Sequence, residues 1–336
     1  MKKHLRVLLL CHKELVPPLS IEGRSDAEIQ DYRTEFDVKT AMTDLGHTVE
    51  VFGVDDDIDA ERAAIAAVAP DICFNLIVEY NGEATFDQHH VSFLELLGVP
   101  YTGCNPRGLT LARDKALSKK ILLHDGVPVP DFGVFVRGKA VKRPRDLAFP
   151  LFVKSIDEEA SLGISRRSIV TTDRDLAERA RFIHDKVHTD AIAETYIEGR
   201  EFYVGVLGNE RPKVLPPWEL CMSKLPPGTP LIATRKVKWD IGTQKRLGVK
   251  NRRAELEPAL ERRIAAAARQ AYRSLDLSGF ARLDFRLRPD GSFFVLEANP
   301  NPDITFGEDF AESAEAAGIG YEELIGRILR LGMGAR

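Results

Sequence analysis

The feature that most constrains the fold of this sequence is a predicted β-hairpin that covers residues 279–303. Its turn is Pro289-Asp290-Gly291, because proline fixes φ and glycine accepts the bend that follows. Apolar and polar residues alternate on both sides of this turn. The alternation predicts an apolar face made of Leu283, Phe285, Leu287, Phe294, Leu296 and Ala298. The opposite face is then predicted to carry Arg282, Asp284, Arg286, Val295, Glu297 and Asn299.

The polar face of this hairpin has the composition of a metal site. In a two-residue register Asp284 is expected diagonal to Glu297, roughly 7–8 Å apart between backbones. Two carboxylates and the amide oxygen of Asn299 suit Mg²⁺, with Mn²⁺ as an alternative. A slip of one residue would place Glu297 on the apolar face, which the alternation disfavours. The competing interpretation is an ordinary solvated face that carries charges of both signs.

Composition excludes several classes of function. The 336 residues are 44% hydrophobic and 29% charged, which is typical of a globular protein with well-buried cores. A net charge of −4 gives no electrostatic reason to bind nucleic acid or an anionic membrane. The apolar run at residues 7–10 is too short for a membrane span or a signal peptide. The four cysteines include no CxxC pair, so we expect reduced thiols in a cytoplasmic protein.

The pattern along the chain predicts three regions. Residues 1–105 alternate between strand and helix, which predicts an α/β domain with a parallel sheet. Residues 106–193 are expected to form a central lobe with a helix at 112–124 and short strands. Residues 194–336 are expected to contain the hairpin, a long helix and a terminal helix. Within them, the span 216–250 is rich in proline and glycine and is predicted to be loop-rich, with a lid in its second half.

Two common nucleotide-binding motifs are absent, namely GxxxxGK[ST] and a GxGxxG after the first strand. The R-x-D pattern at Arg282 and Asp284, followed by L-E-A-N-x-x-P, instead resembles the metal-binding strand pair of ATP-grasp ligases. D-alanine–D-alanine ligases are the most similar members. Further segments resemble this family in the same order along nearly the whole chain. They lie at residues 81–88, 93–103, 113–119, 149–154, 159–164 and 194–201.

The resemblance implies a three-lobed ATP-grasp fold, α/β in the first lobe and α+β in the two ATP-grasp lobes, with ATP and Mg²⁺ as cofactors. It also implies roles for residues that match the family segments. These are Lys115 and Lys154 on the phosphates, Ser161 and Gly163 in a phosphate-covering loop, Glu194 and the Ile197 backbone on adenine, and Glu201 on the ribose. Lys238 is a further candidate phosphate contact on the lid. Lysine ammonium groups and small-residue backbones are chemically suited to bind phosphate.

The implied reaction is ligation of a carboxylate to an amine through an acyl phosphate. Asp284, Glu297 and Asn299 would hold the metal, Arg282 would stabilise the oxyanion, and Ser161 would assist in the catalytic loop. The substrates would be small molecules, either amino acids or peptides, and a homodimer is expected because related ligases are often dimeric.

The resemblance fails at the acceptor site. The chain has Asp303 where the family usually has the glycine of P-G-M-T, and Glu308 where a serine holds the carboxylate of the second substrate. Ala160 replaces one of two paired serines, and the first-lobe H-E-x-x-S motif has no clear counterpart near Glu22 and Glu35. We therefore expect an altered acceptor with a cationic or hydroxyl group, and a hydroxyl would give an ester. D-alanine–D-alanine ligation is the alternative. Two other hypotheses are a nucleotide-binding regulatory or scaffold protein without turnover and a kinase that releases the acyl phosphate.

Overall fold

The computed structural model describes residues 4–157, 163–226, 228–234, 236–237 and 240–334. The N-terminal region is the predicted parallel sheet, in the order β2-β1-β3. Its core strand is buried from Val7 to Cys11, as expected for a strand covered on both faces. The strands are β1 (Arg6–His12), β2 (Thr48–Val54) and β3 (Ile72–Asn75), and the helices are α1 (Asp26–Ile29), α2 (Arg33–Asp44), α3 (Ile58–Val68) and α4 (Asp87–Leu96).

The central region is an antiparallel sheet in the order β4-β7-β5-β6, preceded by two helices. The single helix expected at residues 112–124 is wrong. Asp114 interrupts it, because its side chain accepts hydrogen bonds from the amides of Ala116 and Leu117 and so caps a new helix. The elements are α5 (Pro106–Arg113), α6 (Lys115–His124), β4 (Phe132–Phe135), β5 (Leu151–Ser155), β6 (Ile169–Val170), α7 (Asp173–Phe182), a π-helical turn (Ile183–Val187) and β7 (Ala191–Thr195).

The C-terminal region is a larger antiparallel sheet in the order β11-β10-β8-β12-β13, with β9 beside β8. The prediction of a loop-rich span at residues 216–250 is wrong in part, since this span contains a strand, a helix and the start of another strand. The elements are β8 (Arg200–Leu207), β9 (Lys213–Val214), β10 (Trp218–Met222), α8 (Ile241–Leu247), β11 (Val249–Arg253), α9 (Pro258–Ser274), β12 (Phe280–Leu287), β13 (Phe293–Pro300), α10 (Asp309–Ala316) and α11 (Tyr321–Gly334).

Strands β12 and β13 form the predicted hairpin, but their register differs from the expected one. Asp284 lies directly opposite Glu297 rather than diagonal to it, and a shift follows at Phe285, which pairs with Val295. Leu296 is therefore an extra residue in β13, a β-bulge that reverses the alternation on the turn side. As a result, Phe293 and Val295 are buried on the apolar face, whereas Phe294 and Leu296 are only partly buried.

The terminal helix α11 packs on the N-terminal sheet and joins the two ends of the chain. Leu324 and its neighbours share one hydrophobic core with residues of β1, α2 and β3. Phe280 of β12 and Phe310 of α10 belong to the same core, with ring centroids 5.8 Å apart. The N-terminal sheet is thus fixed against the strand that carries Asp284. None of the helices in the described ranges is both long and apolar enough to cross a bilayer.

Replacement of Leu324 by alanine should destabilise the protein, because this side chain is fully buried in the core that joins the two chain ends. We expect the free energy of unfolding to fall by about 2–5 kcal/mol, measured by urea denaturation followed by circular dichroism. Leu96→Ala is the matched control, since Leu96 is 87% exposed, and it should change the value by less than about 0.5 kcal/mol. Equal effects of the two changes would contradict the packing of α11.

Candidate functional site

A cleft lies between the central sheet and the C-terminal sheet and has a volume of about 800 Å³, part of it open to solvent. The central region supplies charged and apolar side chains, and the hairpin supplies the opposite wall. Half of the site residues predicted from the sequence line this one cleft. They are Lys115, Lys154, Glu194, Ile197, Glu201, Asp284 and Glu297.

Two buried lysines meet the carboxylate of Glu297 at the floor of the cleft. Lys154 Nζ lies 3.6 Å from Glu297 Oε2 and 3.2 Å from Glu194 Oε1. Lys115 Nζ, on the first residue of α6, lies 3.9 Å from Glu297 Oε2. Burial alone would lower the pKa of Lys154, but the charges of Glu194 and Glu297 outweigh burial and raise it. The structure thus brings together the two predicted phosphate-binding lysines and one predicted metal ligand.

A third lysine, Lys119, completes this cluster and was not among the predicted site residues. Its side chain is buried, its Nζ donates to the carbonyl of Leu296 at 2.5 Å, and it lies 3.4 Å from Glu194 Oε1. Burial lowers the pKa of Lys119 to about 8, and the charge of Glu194 opposes this shift. The sequence signal for Lys119 was its spacing of four residues from Lys115, because residues four apart on a helix share a face.

The three predicted metal ligands lie on neighbouring positions of the hairpin. Asp284 is opposite Glu297, and Asn299 follows two residues later, opposite Arg282. The amide nitrogen of Asn299 is buried and has no hydrogen-bond partner within the described part of the chain, so its side chain is not committed to a protein contact through that atom. Two carboxylates and one amide oxygen are hard ligands, and they fit Mg²⁺ or Mn²⁺.

Arg282 is held next to the metal ligands by a two-bond pair with Asp284, at 2.7 and 3.1 Å. Burial would lower the pKa of Arg282, but its pairing with Asp284 raises it, so the guanidinium stays charged at neutral pH. The guanidinium also lies 4.8 Å from the ring centre of Tyr203. A fixed cation therefore stands beside the predicted metal position.

The other end of the cleft is organised by Arg286, which the sequence analysis placed on the polar face without assigning it a role. Its guanidinium pairs with Glu201 at 2.7 Å and donates to the carbonyls of Leu231 at 2.6 Å and Ile197 at 3.4 Å. Tyr203 donates to the second oxygen of Glu201 at 3.0 Å. The sequence signal for Arg286 was its position in the predicted strand, where it shares the polar face with Arg282 and Asp284. Arg286 positions Glu201 and the segment at Ile197, the two features predicted to bind adenosine.

The predicted phosphate-covering loop and lid are only partly within the described residues. Ser161 and Lys238 lie outside them. Gly163 is described, and its carbonyl accepts a hydrogen bond from Arg179, which also donates to Ser168 Oγ at 3.0 Å. Among the described residues of this loop, Ile164 rather than Gly163 lines the cleft.

The predicted acceptor residues belong to a group of five carboxylates, termed here the acidic cluster: Glu35 and Asp37 of α2, Asp303 and Glu308 of the loop after β13, and Asp309 of α10. Two contacts join α2 to that loop. The hydroxyls of Thr34 and Thr305 are hydrogen-bonded, and the amide of Phe306 donates to Asp37 Oδ2 at 3.3 Å.

The carboxylates of the acidic cluster shift one another's ionisation. Burial, reinforced by the charge of Asp303, raises the pKa of Glu35 to about 7. Desolvation and the charges of Asp303 and Asp309 raise the pKa of Glu308 to about 7. Desolvation also raises the pKa of Asp309 to about 6, although Arg282 opposes the shift. Sequence reasoning missed Asp37 and Asp309, which only the docking of α2 and α10 brings into the cluster, and Glu22 is exposed.

Comparison with known proteins finds relatives of this chain in sequence. The sequence model of the family described as "D-ala D-ala ligase C-terminus" matches residues 121–330. A D-alanine–D-alanine ligase of Oleidesulfovibrio alaskensis is 32% identical over 303 residues, covering 89% of this chain and 90% of the relative. The uncharacterized protein y4sG of Sinorhizobium fredii is 34% identical over 256 residues, covering 76% and 73%.

Solved structures share the whole fold. The structure of a D-alanine–D-alanine ligase from Bacillus anthracis complexed with ATP superposes with a TM-score of 0.73 at 21% identity, covering 98% of both chains. The ligase from Coxiella burnetii gives a TM-score of 0.72 at 18% identity, covering 99% of this chain and 95% of that one. The expected three-lobed ATP-grasp architecture is confirmed by these superpositions.

Substitution of Glu35 by glutamine should stabilise the protein at pH 8 and leave its stability at pH 4 nearly unchanged. Because the folded-state pKa is raised from about 4.5 to about 7, the native protein loses stability as pH rises through this interval. We expect a gain of about 1–3 kcal/mol at pH 8 from urea denaturation. Glu22→Gln, at an exposed position, is the control. A gain of equal size at pH 4 and pH 8 would contradict the raised pKa.

Proposed function

Because the chain belongs to the D-alanine–D-alanine ligase family, we propose that it is an ATP-dependent ligase that joins a carboxylate to an amine and releases ADP and phosphate. The observation that carries this proposal is the meeting of Lys115 and Lys154 with Glu297 and Asp284 in one cleft. Phosphoryl transfer needs cations that bind the triphosphate together with ligands that hold its metal ions. An ordinary structural cleft needs neither of them.

The cleft has features that suit ATP. Phe152, Ile197 and Leu296 offer apolar surface for a base, while Glu201 and Arg286 mark the polar edge of the same region. Lys115 and Lys154 lie beside Glu297 and would contact the phosphates. The resemblance adds Ser161, Gly163 and Lys238 as further phosphate contacts and Glu194 as an adenine contact. The Bacillus anthracis relative, whose structure contains ATP, supports this use of the cleft.

Asp284, Glu297 and Asn299 would hold Mg²⁺ or Mn²⁺, which would neutralise charge that develops on the phosphates. The guanidinium of Arg282 would lie beside these metal ligands and stabilise negative charge on the substrate. A substrate carboxylate attacks the γ-phosphorus to give an acyl phosphate, and an amine then attacks the acyl carbon. The negative oxygen that forms in this second step needs a fixed cation, and the Arg282 guanidinium is charged and held in place by Asp284.

The acceptor of this reaction is proposed to differ from D-alanine. A carboxylate-bearing acceptor would be repelled by Asp303 and Glu308, at a cost on the order of 1 kcal/mol or more. The donor is expected to be an amino acid or a small peptide, as the names of the relatives suggest.

Trapping with hydroxylamine tests the activation step without knowledge of the acceptor. The protein is incubated with Mg²⁺, ATP and single D- or L-amino acids, and hydroxamate and ADP are measured. Hydroxamate that depends on one donor supports the ligase. ATP binding without ADP release across the panel would support a nucleotide-binding scaffold instead. An acyl phosphate that accumulates and is never transferred to any amine would indicate a kinase.

Asp284→Asn should reduce ADP release in this assay by at least about 100-fold, because it removes the negative charge that would bind the metal and that pairs with Arg282. Asp290→Asn is the matched control, since Asp290 lies at the turn of the same hairpin and is exposed. Turnover of the control should stay within about twofold of the parent chain. Full ADP release by the Asp284 variant would refute the assigned metal site.

Lys154→Met should weaken nucleotide binding by about 10–100-fold, because it removes a buried cation near the expected phosphate position. The measurement is titration calorimetry with a non-hydrolysable ATP analogue and Mg²⁺. Lys142→Met, at an exposed position in the same region, should bind the analogue like the parent chain. Unchanged affinity of the Lys154 variant would show that Lys154 does not contact the phosphates.

A further inference from the structure

The β-bulge in β13 changes which of its residues face the cleft. Successive side chains of a regular strand point to opposite faces, yet the consecutive residues Leu296 and Glu297 both line the cleft. The register explains this exception, because Leu296 is the extra residue between the pairs Asp284–Glu297 and Phe285–Val295. A regular strand would turn one of the two residues away. The bulge therefore puts apolar surface for a base next to a predicted metal ligand.

The backbone at the bulge is held by groups from outside the hairpin. A bulge interrupts the hydrogen bonds between its two strands, so the backbone groups of the extra residue need other partners. The carbonyl of Leu296 accepts a hydrogen bond from Lys119 Nζ at 2.5 Å. The amide of the preceding residue, Val295, donates to the carbonyl of Pro128 at 2.8 Å. The bulge is thus attached to α6 and to the segment that leads into β4.

Lys119 is placed behind the cleft rather than in it. It is 1% exposed and, unlike Lys115 and Lys154, it is not among the described residues that line the cleft. Its Nζ lies 3.4 Å from Glu194 Oε1, which fixes the ammonium group beside β7. Lys115 and Lys154 contact the carboxylate of Glu297, whereas Lys119 contacts the backbone immediately before it. The three lysines therefore have different tasks.

We propose that Lys119 is a positioning residue, whose hydrogen bond to the Leu296 carbonyl holds the bulge and so directs Glu297 towards the metal position beside Asp284. This inference rests on the proposed ligase function and on its metal site. Lys119 acts through Glu297 and touches neither the nucleotide nor the metal. The competing explanation is a purely structural one, in which Lys119 only balances the buried charge of Glu194.

Binding of Mn²⁺ to the full chain tests the proposal. Free Mn²⁺ is measured by electron paramagnetic resonance in the presence of a non-hydrolysable ATP analogue. Lys119→Met should raise the dissociation constant of Mn²⁺ by about tenfold, because groups that orient a metal ligand typically affect affinity to this extent. Lys120→Met is the matched control, since Lys120 is the next residue of α6 and is exposed, and its constant should stay within about twofold of the parent value. An unchanged constant in the Lys119 variant would overturn the inference.

The same titration separates positioning from a structural role. Lys119→Met leaves Glu194 paired with Lys154 at 3.2 Å, so the variant is expected to fold. A change that only destabilises the protein lowers the number of Mn²⁺ sites per chain but leaves the affinity of each folded molecule unchanged. Fewer sites with the parent dissociation constant would therefore support the structural explanation and overturn the positioning role.

A double-mutant cycle tests whether Lys119 acts through Glu297. Glu297→Gln should weaken Mn²⁺ binding by itself, because it removes the charge of a predicted ligand. Adding Lys119→Met to this variant should change the dissociation constant by no more than about twofold, since the group that Lys119 positions is already altered. If Lys119→Met weakens binding as much in the Glu297 variant as in the parent chain, Lys119 does not act through Glu297.

Lys119→Arg separates geometry from charge and decides the question if Lys119→Met does not fold. Arginine keeps a positive charge beside Glu194. However, Nζ is already 2.5 Å from the Leu296 carbonyl, so the larger guanidinium must displace the bulge. We expect the dissociation constant of Mn²⁺ to rise by about threefold or more. A folded Lys119→Arg chain with the parent affinity would show that charge alone suffices, and would overturn the inference.

None of these measurements requires turnover. If no donor gives hydroxamate, the ligase proposal fails, while the Mn²⁺ constants still decide the role of Lys119. If the parent chain binds no Mn²⁺ with the ATP analogue, the role of Lys119 is overturned together with the metal site. Formation of hydroxamate would then still test the ligase proposal by itself.

Discussion

The site depends on a buried set of alternating charges at the junction of two sheets. Lys154 lies between Glu194 and Glu297, at 3.2 and 3.6 Å, and Lys119 contacts Glu194 from the opposite side at 3.4 Å. Because an unpaired buried ion costs several kcal/mol, each of these side chains requires the others to be in place. The set connects strands β5 and β7 to strand β13. The nucleotide cleft therefore forms only when the central and C-terminal sheets are docked, which links folding directly to the proposed chemistry.

The two polar regions that flank the hairpin differ in their charge balance. Around Lys154 the carboxylates of Glu194 and Glu297 each have a lysine within ion-pair distance. Around Glu35 carboxylates accumulate, and burial, reinforced by the charge of Asp303, raises the pKa of Glu35 to about 7. The region around Lys154 thus pairs carboxylates with cations, whereas the region around Glu35 groups carboxylates together.

Much of this organisation could be predicted from the sequence, but the details of geometry could not. The hairpin turn and the polar face with Asp284 and Glu297 followed from proline, glycine and alternation. The bulge at Leu296 could not be predicted, because residues 293–296 are all hydrophobic and each of them fits either face of the strand. Arg286 was visible on the polar face, but its contact with Glu201 requires the pairing of β8 with β12. The cluster around Glu35 depends on the docking of distant segments, for which a single sequence carries no local signal.

The position of the acidic cluster explains how acceptor choice could change while the activation chemistry is retained. Helix α2 and the loop after β13 are fixed by one hydrophobic core, to which Met42 and Ile304 contribute buried side chains. Asp303 and Glu308 project from this framework and are exposed, so their replacement removes no core packing. In contrast, Lys154 and Glu194 cannot be replaced singly without leaving a buried charge unbalanced. Packing and charge pairing therefore constrain the proposed nucleotide site more strongly than the proposed acceptor residues.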